Sequence, residues 1–486
     1  MRVPDLRNDD KSAKDTGTAD FETALEYTKF GKFHIALIII GGFCYLATGF
    51  EYGLHAYIFP FAQCDLEITP SQMGIINALF LGGSIICSFV WGVVADTVGR
   101  RKVLILSMFL DGVSTVIASF STSFYIFAAV RFVSGFMIGA PGCLATSYVG
   151  EFCVNRHRTR AICTIGFCWT FAWMLLPGVA WLIIPTSFFH FVTPFMEYHS
   201  WRAFVFFIGM PPIIAAFLLY FLPETPKFLF IQGRESEAIA VLQKIFRSNT
   251  GRSEDEYPVM RLVSTYSSDA TPRAPTADGL EPAKKGKSFG EVCSGMVYQT
   301  KEVFTPPHLQ KAILCSSIYF ANFFGYYGLG LWLPELFNRF EAFYAQHPNE
   351  SITVCELSQL NSYSNSSFSD DEASMQDMLN GCGERTINLG VFINTFIIGA
   401  VTCIGNMLAI VLSNRVGGRI LSVVAGLLAG VSAIAVYSMQ TMVAIVAVNC
   451  LFMMGIGTAM VTLSSCAVNL YPTSIRYVFR RISLLF

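Results

Sequence analysis

Ten long apolar runs dominate this chain of 486 residues. A helix needs about 20 mostly apolar residues to cross the hydrocarbon core of a bilayer. The charged fraction is only 14%, against about 25% in soluble domains. The sequence therefore predicts an all-α polytopic membrane protein. The predicted spanning helices cover residues 34–58, 73–95, 103–121, 124–148, 161–185, 201–222, 311–337, 387–411, 419–438 and 441–466.

The connections between these runs alternate in charge. Residues 60–72 and 186–200 contain acids and no Lys or Arg. The connections around Arg100 and Arg156 are strongly basic. Because basic connections stay on the cytosolic side of a membrane, the N-terminus and both basic connections are predicted to be cytosolic.

The polar segments divide the chain into five predicted regions. A cytosolic N-terminal segment (residues 1–33) precedes a six-helix bundle (34–222), and a cytosolic linker (223–310) follows it. An incomplete second bundle of about four helices (311–476) comes next, before a divergent tail (477–486). The chain begins without a signal-peptide pattern, so its first helix is expected to act as an uncleaved signal.

Two polar segments carry further predictions. In the linker, Glu235 to Phe246 has the apolar spacing of a surface helix, and residues 250–288 are expected to be disordered. Segment 338–385 is acidic and is expected on the luminal or extracellular side, where glycosylation and disulfide formation occur. The predicted modifications are glycosylation of Asn349 and Asn365 and a disulfide between Cys355 and Cys382, with Cys64 as a competing partner.

A short polar stretch occurs twice in the sequence. Residues 92–102 connect the second and third predicted helices, and residues 412–421 connect the eighth and ninth. Two helices later, Arg160 follows Asp96 by 64 residues (160 − 96) and Arg476 follows Asn414 by 62 (476 − 414). This pattern indicates two halves related by duplication, as in transporters built from parallel repeats. The alignment places Asp96 on Asn414, Gly99 on Gly417 and Arg101 on Arg419.

These motifs resemble those of the major facilitator superfamily. The matching motifs are Gly92-x-x-x-Asp96-x-x-Gly99-Arg100-Arg101-Lys102, Arg131-Phe-Val-Ser-Gly135-Phe-Met-Ile-Gly139, Pro223-Glu224-Thr-Pro226-Lys227 and Tyr471-Pro472-Thr473-Ser-Ile-Arg476. Within the superfamily the chain looks most similar to the synaptic vesicle glycoprotein 2 branch, at residues 31–33, 199–202 and 326–334. The resemblance implies twelve helices in two six-helix halves, and secondary transport by alternating access.

The chain departs from this pattern at two places. The resembled branch has two acids in its first helix, whereas Thr48-Gly-Phe-Glu51 has one. The sequence also ends soon after Arg476, where the repeat predicts two more helices. We therefore expect the chain as given to be a shortened product that is inactive or unstable.

The cytosolic loop of the first half is the predicted gate. Asp96 can pair with Arg100, Arg156 or Arg160 and so hold the cytosolic helix ends in one access state. Alternatively, these cations only fix the topology. The second copy has lost the acid and one cation, so gating is expected mainly at Asp96 and Arg100. The predicted gating residues are Gly92, Asp96, Gly99, Arg100, Arg101, Arg160, Asn414 and Arg419.

Charged and aromatic residues inside the spanning helices define the predicted cavity. A charge at this depth costs roughly 2.5–3.5 kcal/mol on insertion scales, so Glu51 either couples protons or recognises a cation, or forms a structural pair with Arg131. The aromatic residues, including Trp173, either bind an amphipathic or cationic solute or anchor the helices at the membrane interface. The predicted cavity residues are Glu51, Arg131, Trp169, Asn322, Tyr326, Tyr327 and Trp332.

The leading functional prediction is a secondary transporter of a small organic solute, either coupled to a proton or ion gradient or working as a uniporter. The alternative is a non-transporting vesicle or surface glycoprotein with a regulatory or receptor role. No enzyme motif, metal site or cofactor is expected, and the net charge of −1 argues against nucleic-acid binding. The predicted location is the plasma membrane or an intracellular vesicle membrane.

Overall fold

A computed structural model describes residues 17–186, 191–192, 197–263, 305–306, 309–347, 352–357 and 389–470. A helix is present at each of the ten predicted positions. In this part of the chain, eight helices are long and apolar enough to cross a membrane. The helices are α1 (Phe21–Tyr27), α2 (Lys32–Asp65), α3 (Pro70–Val98), α4 (Arg100–Ala118), α5 (Phe124–Phe152), α6 (Asn155–Ile183), α7 (Ser200–Tyr220), α8 (Pro226–Ile231), α9 (Glu235–Thr250), α10 (Leu309–Gly330), α11 (Leu333–Gln346), α12 (Leu389–Val416), α13 (Gly418–Val436) and α14 (Met442–Leu470).

Local sequence signals explain where the helices begin and end. Thr69 and Gln72 form a reciprocal capping box at the start of α3, and Pro70 occupies the first turn, where a missing N–H costs nothing. Gly99 ends α3 and precedes α4 with φ +113°, a conformation that side chains with a Cβ rarely adopt. The predicted turn between these two helices is thereby confirmed.

The helix predicted over residues 311–337 is wrong as a continuous element. Helix α10 ends at Gly330, and α11 begins at Leu333 after an N-cap at Trp332. Pro334 lies in the first turn of α11, where it is tolerated, whereas in a helix interior it removes a hydrogen bond. Helix α11 also extends to Gln346, into a segment predicted to be a loop.

The first six spanning helices pack closely through small residues. Helix α2 packs against α6 and α7, α3 packs against α5, and α4 packs against α5 and α7. A Cβ at Gly135 would lie 2.1 Å from the backbone oxygen of Phe80, and one at Gly139 would lie 2.8 Å from that of Ser84. The predicted packing role of the two glycines is therefore confirmed.

The predicted duplication is visible in the helix boundaries. Helices α3, α4 and α5 have 29, 19 and 29 residues, and α12, α13 and α14 have 28, 19 and 29. Gly417 follows Gly99 by 318 residues (417 − 99), and α14 follows α5 by the same 318 at both ends (442 − 124 and 470 − 152). Helix α14 packs against α12 and α13, as α5 packs against α3 and α4.

The segment before α2 and the linker after α7 form one small apolar cluster. Strand β1 (Thr18–Asp20) pairs in parallel with β4 (Arg261–Val263), and a separate two-residue hairpin joins β2 (Phe191–Val192) to β3 (Glu197–Tyr198). The Tyr257 hydroxyl donates to the Ala24 carbonyl at 2.7 Å, and burial raises the pKa of this phenol above its ordinary value. The predicted surface helix is confirmed as α9, but residues 251–263 are ordered, contrary to the prediction of disorder.

Several predicted features lie outside the described residues. These are the two sequons, Cys382, Arg476 and the divergent tail. The predicted disulfide, which joins Cys355 to Cys382, therefore stays a prediction.

Candidate functional site

Three helices of the first half each present a pair of polar side chains to one buried point. Residues three or four apart lie on the same face of a helix. Helix α2 supplies Glu51 and His55, α4 supplies Asp111 and Thr115, and α5 supplies Arg131 and Ser134, all almost completely buried. The sequence signal for this cluster was the polar pair inside each apolar run. Sequence reasoning used only Glu51 and Arg131 and missed the other four.

Arg131 is the centre of this cluster. Its Nη1 donates to Glu51 Oε2 at 2.8 Å, to Thr115 Oγ1 at 3.1 Å and to Ser134 Oγ at 3.3 Å. Its Nε donates to His55 Nε2 at 2.8 Å, so His55 accepts through that nitrogen. The guanidinium also lies 4.6 Å above the Phe80 ring. These contacts compensate in part for the cost of burying a cation, which is large when the ion has no partner.

The cluster holds more carboxylates than cations. Ser134 Oγ donates to Asp111 Oδ1 at 2.7 Å. Among the described residues, the second oxygens of both acids, Glu51 Oε1 and Asp111 Oδ2, have no hydrogen-bond partner. A buried polar group without a partner is costly, so the site is unlike an ordinary structural salt bridge in which every atom is paired.

An aromatic cluster adjoins the buried ions and joins the two halves of the chain. The Tyr52 ring contacts Phe80 at 5.2 Å, Trp169 at 5.1 Å and Tyr327 of α10 at 6.0 Å between centroids. Trp173 of α6 contacts Tyr326 of α10 edge-on at 5.3 Å. Because Phe80 also stacks on Arg131, the aromatic contacts are continuous from the ion cluster to the boundary between the halves.

A cavity lies beside these rings, between α2, α6, α10 and α12. Its volume is about 50 Å³, against about 300–1,000 Å³ for typical ligand pockets, so this conformation is closed around it. No charged side chain lines it, and Trp173 Nε1 has no hydrogen-bond partner among the described residues. Its polar and aromatic lining residues are Tyr57, Thr170, Trp173, Tyr326, Thr395 and Thr402.

Two of the predicted cavity residues lie elsewhere. Asn322 donates from Nδ2 to the Ile318 carbonyl of its own helix at 2.8 Å and does not line the cavity. Trp332 caps α11 and packs with Tyr327 against the apolar core of the first half. Trp169 also lies outside the cavity lining, but it contacts the aromatic cluster through Tyr52.

The predicted gate is a compact set of contacts at the α3–α4 turn. Asp96 pairs with Arg100 at 3.0 Å, and Arg100 also reaches Glu151 at the end of α5 at 3.4 Å. The Arg101 backbone N–H donates to Glu224 Oε1 at 3.0 Å. Glu151 and Glu224 were not predicted as gate residues, although Glu224 belongs to one of the recognised motifs.

The other predicted gate residues are not brought into these contacts. Gly92 is buried within α3, and Arg160 is exposed on α6, with no ion pair among the described residues. In the second copy, Arg419 is exposed, and a Cβ on Gly417 would meet no described atom within 4 Å. The side chain of Asn414 lies outside the described structure.

A second pocket of about 370 Å³ lies next to the gate, between the α3–α4 turn and helices α8 and α9. Its charged lining residues are Arg101, Lys102, Glu224, Arg234, Glu237 and Lys244. Among the described residues, no group of three or more His, Cys, Asp or Glu side chains could hold a metal ion.

The fold is that of a major facilitator transporter. The xylose transporter XylE from E. coli, in a partially occluded inward-open conformation, superposes with a TM-score of 0.62 at 15% identity, over 94% of this chain and 91% of that one. A bacterial homolog of the human lysosomal transporter Spinster gives a TM-score of 0.56 at 12% identity, over 94% of this chain and 80% of that one.

The chain belongs to the sugar (and other) transporter family, which matches residues 26–276. Mouse synaptic vesicle glycoprotein 2C is 25% identical over 342 residues, covering 70% of this chain and 47% of that protein. Rat synaptic vesicle glycoprotein 2A is 26% identical over 330 residues, covering 66% and 44%. The chain thus spans about half the length of these curated relatives. The resemblance inferred from the motifs is confirmed.

Proposed function

We propose that the protein is a secondary transporter of a neutral, polyhydroxylated solute of the monosaccharide class, coupled to the movement of protons. The observation that carries the proposal is the uncharged cavity, whose aromatic rings are in continuous contact with the buried Glu51–Arg131 pair. The fold supports alternating access around such a cavity.

The lining of the cavity favours a neutral solute over a cationic one. A cation held by aromatic rings alone gains about 0.5–2 kcal/mol from each contact and loses its hydration, and no carboxylate lines the cavity to compensate. Threonine hydroxyls and the indole N–H of Trp173 can instead bond to solute hydroxyls. The faces of Trp173 and Tyr326 can pack against the C–H face of a sugar ring. The XylE relative carries xylose by name, which agrees with this chemistry.

The aromatic contacts supply the physical route for coupling. Tyr52 follows Glu51 directly, and its ring touches Phe80, Trp169 and Tyr327. Opening the cavity for a solute must move Tyr327 relative to Tyr52, because these rings lie on opposite halves. Phe80 transmits that movement to Arg131, and a change in the Glu51–Arg131 pair alters which acid can hold a proton.

The predicted gate and location belong to the same proposal. We infer that the N-terminus and the α3–α4 turn face the cytosol, and that the Asp96–Arg100–Glu151 set closes the cytosolic helix ends. The membrane is the plasma membrane or that of an intracellular vesicle. The proposed alternative, a receptor or regulatory glycoprotein without transport, draws support from the likeness to synaptic vesicle glycoproteins.

Solute binding to the purified 486-residue chain tests the proposal. The panel is xylose, glucose and inositol against choline and glutamate, and the variant is Trp173→Phe, which keeps the ring and removes the N–H. Loss of one hydrogen bond of about 1–1.5 kcal/mol predicts roughly tenfold weaker binding of the neutral solutes. Trp181→Phe, at a 46% exposed tryptophan on the same helix, is the matched control and leaves binding unchanged. Binding of only the charged solutes, or equal effects of the two variants, contradicts the proposal. Absence of any solute binding favours the alternative.

A further inference from the structure

Asp111 is a fully buried acid that the proposed coupling through Glu51 and Arg131 does not use. It lies at the middle of α4, and Ser134 Oγ donates to its Oδ1 at 2.7 Å. Its Oδ2 has no hydrogen-bond partner among the described residues. The nearest cation, Arg131, bonds instead to Glu51 and to the Ser134 hydroxyl that faces Asp111.

The charges around Asp111 do not balance if both acids are ionised. From α2, Glu51 and His55 face the cluster, and from α5, only Arg131 does. Helix α7 packs against α4 at this level through Gly209 and Ile213, which are uncharged. The Arg202 side chain on α7 is held at the far end of α4, by the carbonyls of Ser119 and Ser121.

One guanidinium therefore faces two carboxylates, with a histidine that accepts a hydrogen bond and is not needed as a cation. An ionised carboxylate without a cation is the most expensive group to bury. Protonation removes that charge at Asp111, which bonds only to a neutral hydroxyl. Glu51 has the direct contact with Arg131 and is the acid that stays ionised in this conformation.

Arg131 is placed to serve either acid. The same nitrogen, Nη1, donates to Glu51 Oε2 and to Ser134 Oγ, and Ser134 is hydrogen-bonded to Asp111. A shift of the guanidinium from the Glu51 side to the Ser134 side would bring its charge next to Asp111 and leave Glu51 without a cation. The cluster thus has two arrangements that differ in which acid Arg131 neutralises.

We propose that Glu51 and Asp111 share a single proton, which resides on Asp111 while Arg131 pairs with Glu51. When Arg131 turns toward Asp111, the O–H bond of Asp111 breaks, an O–H bond forms on Glu51, and no electrons are transferred. Asp111 is then a second proton carrier of the coupling centre. Its part in transport rests on the proposed function, whereas the shared proton itself does not.

Infrared difference spectroscopy of the purified chain at pH 7 tests the shared proton directly. A protonated carboxylic acid has a carbonyl band that shifts on exchange into D₂O. We expect one such band to be lost from the wild-type spectrum in Asp111→Asn. It is also lost in Glu51→Gln, because Arg131 then pairs with Asp111 and ionises it. Arg131→Met, which leaves both acids without a cation, is expected to double the band.

Each other outcome overturns the inference. A band that persists in Asp111→Asn but not in Glu51→Gln places the proton on Glu51. A band that persists in Glu51→Gln shows that Asp111 holds its proton independently. No difference between the wild type and Asp111→Asn shows that Asp111 is ionised. Ser134→Ala keeps both acids and is expected to shift the frequency of the band without removing it, which tests the assignment even if Asp111→Asn folds poorly. Failure of solute binding would leave these results unaffected.

Discussion

Two sets of three helices in this molecule have the same lengths and the same packing but different interiors. Helices α3–α5 and α12–α14 are related by a shift of 318 residues. At this shift, Arg131 corresponds to Asn449 and Asp111 to Ala429, and all four are buried. The second set forms without a buried ion cluster. The fold therefore does not require these charges, and their presence in the first set is best explained by function.

The turns of the two sets differ in the same sense. Gly99 and Gly417 both have positive φ, +113° and +90°. The first turn is packed, since a Cβ on Gly99 would lie 2.4 Å from Glu224 Oε2, whereas the second meets no described atom within 4 Å. One turn is built into a charged network, and its copy is a simple connection.

The largest expected difference between the halves concerns their corresponding buried residues. Arg131→Met removes the cation from beside two acids and is expected to destabilise the protein by about 3–5 kcal/mol, as for other broken buried ion pairs. Asn449→Leu removes one amide that bonds only to the Ile445 carbonyl and is expected to cost about 1 kcal/mol or less. Thermal unfolding in detergent, followed by size-exclusion chromatography, measures both. Equal losses would show that the ion cluster is no more demanding than its counterpart.

A smaller difference is expected at one pair of glycines. A Cβ on Gly112 would lie 2.5 Å from Ile213 Cγ1 and 2.7 Å from the Gly209 carbonyl oxygen, whereas one on Gly430 would meet no described atom within 4 Å. Gly112→Ala is therefore expected to destabilise by about 1–3 kcal/mol through overpacking. Gly430→Ala is expected to stabilise by up to about 1 kcal/mol, because Ala favours a helix over Gly. The same melting experiment decides, and a stabilising Gly112→Ala would show that α4 and α7 do not pack as described.

The smallest difference is expected at the two turns. Alanine at either glycine must adopt positive φ, which costs roughly 1–2 kcal/mol. Gly99→Ala also displaces the Glu224 carboxylate, so it should be the worse of the two by about 1 kcal/mol, the typical net value of a lost hydrogen bond. In a Glu224→Ala background this excess should disappear, which a double-mutant cycle of melting temperatures measures. An excess that persists would assign the cost to the backbone alone.

Part of this structure was accessible from the sequence. Apolar runs of bilayer length gave the ten helix positions, because composition alone decides which segments can span a membrane. The break at Leu331–Trp332 was missed because hydropathy continues across it, and only Pro334 marked a new helix start. The charged pair of Glu51 and Arg131 was visible for the same reason that it is costly.

The rest of the site depended on how the helices pack. Glu51 and Arg131 are 80 residues apart, and no periodicity shows that Asp111 reaches the same point from a third helix. The sequence lacks an acid at Thr48, which suggested a weakened coupling site. The structure places a second carboxylate next to Arg131 from α4 instead.

Proton movement during solute uptake tests the central claim most directly. The 486-residue chain is reconstituted in liposomes containing a trapped pH-sensitive dye, and the neutral solute that binds best is added outside. We predict that solute entry acidifies the interior of wild-type liposomes, and that Glu51→Gln exchanges solute across the membrane without acidification. Glu254→Gln, at an exposed surface pair with Arg247, behaves as the wild type. Solute entry without acidification in the wild type, or acidification retained in Glu51→Gln, would contradict the account.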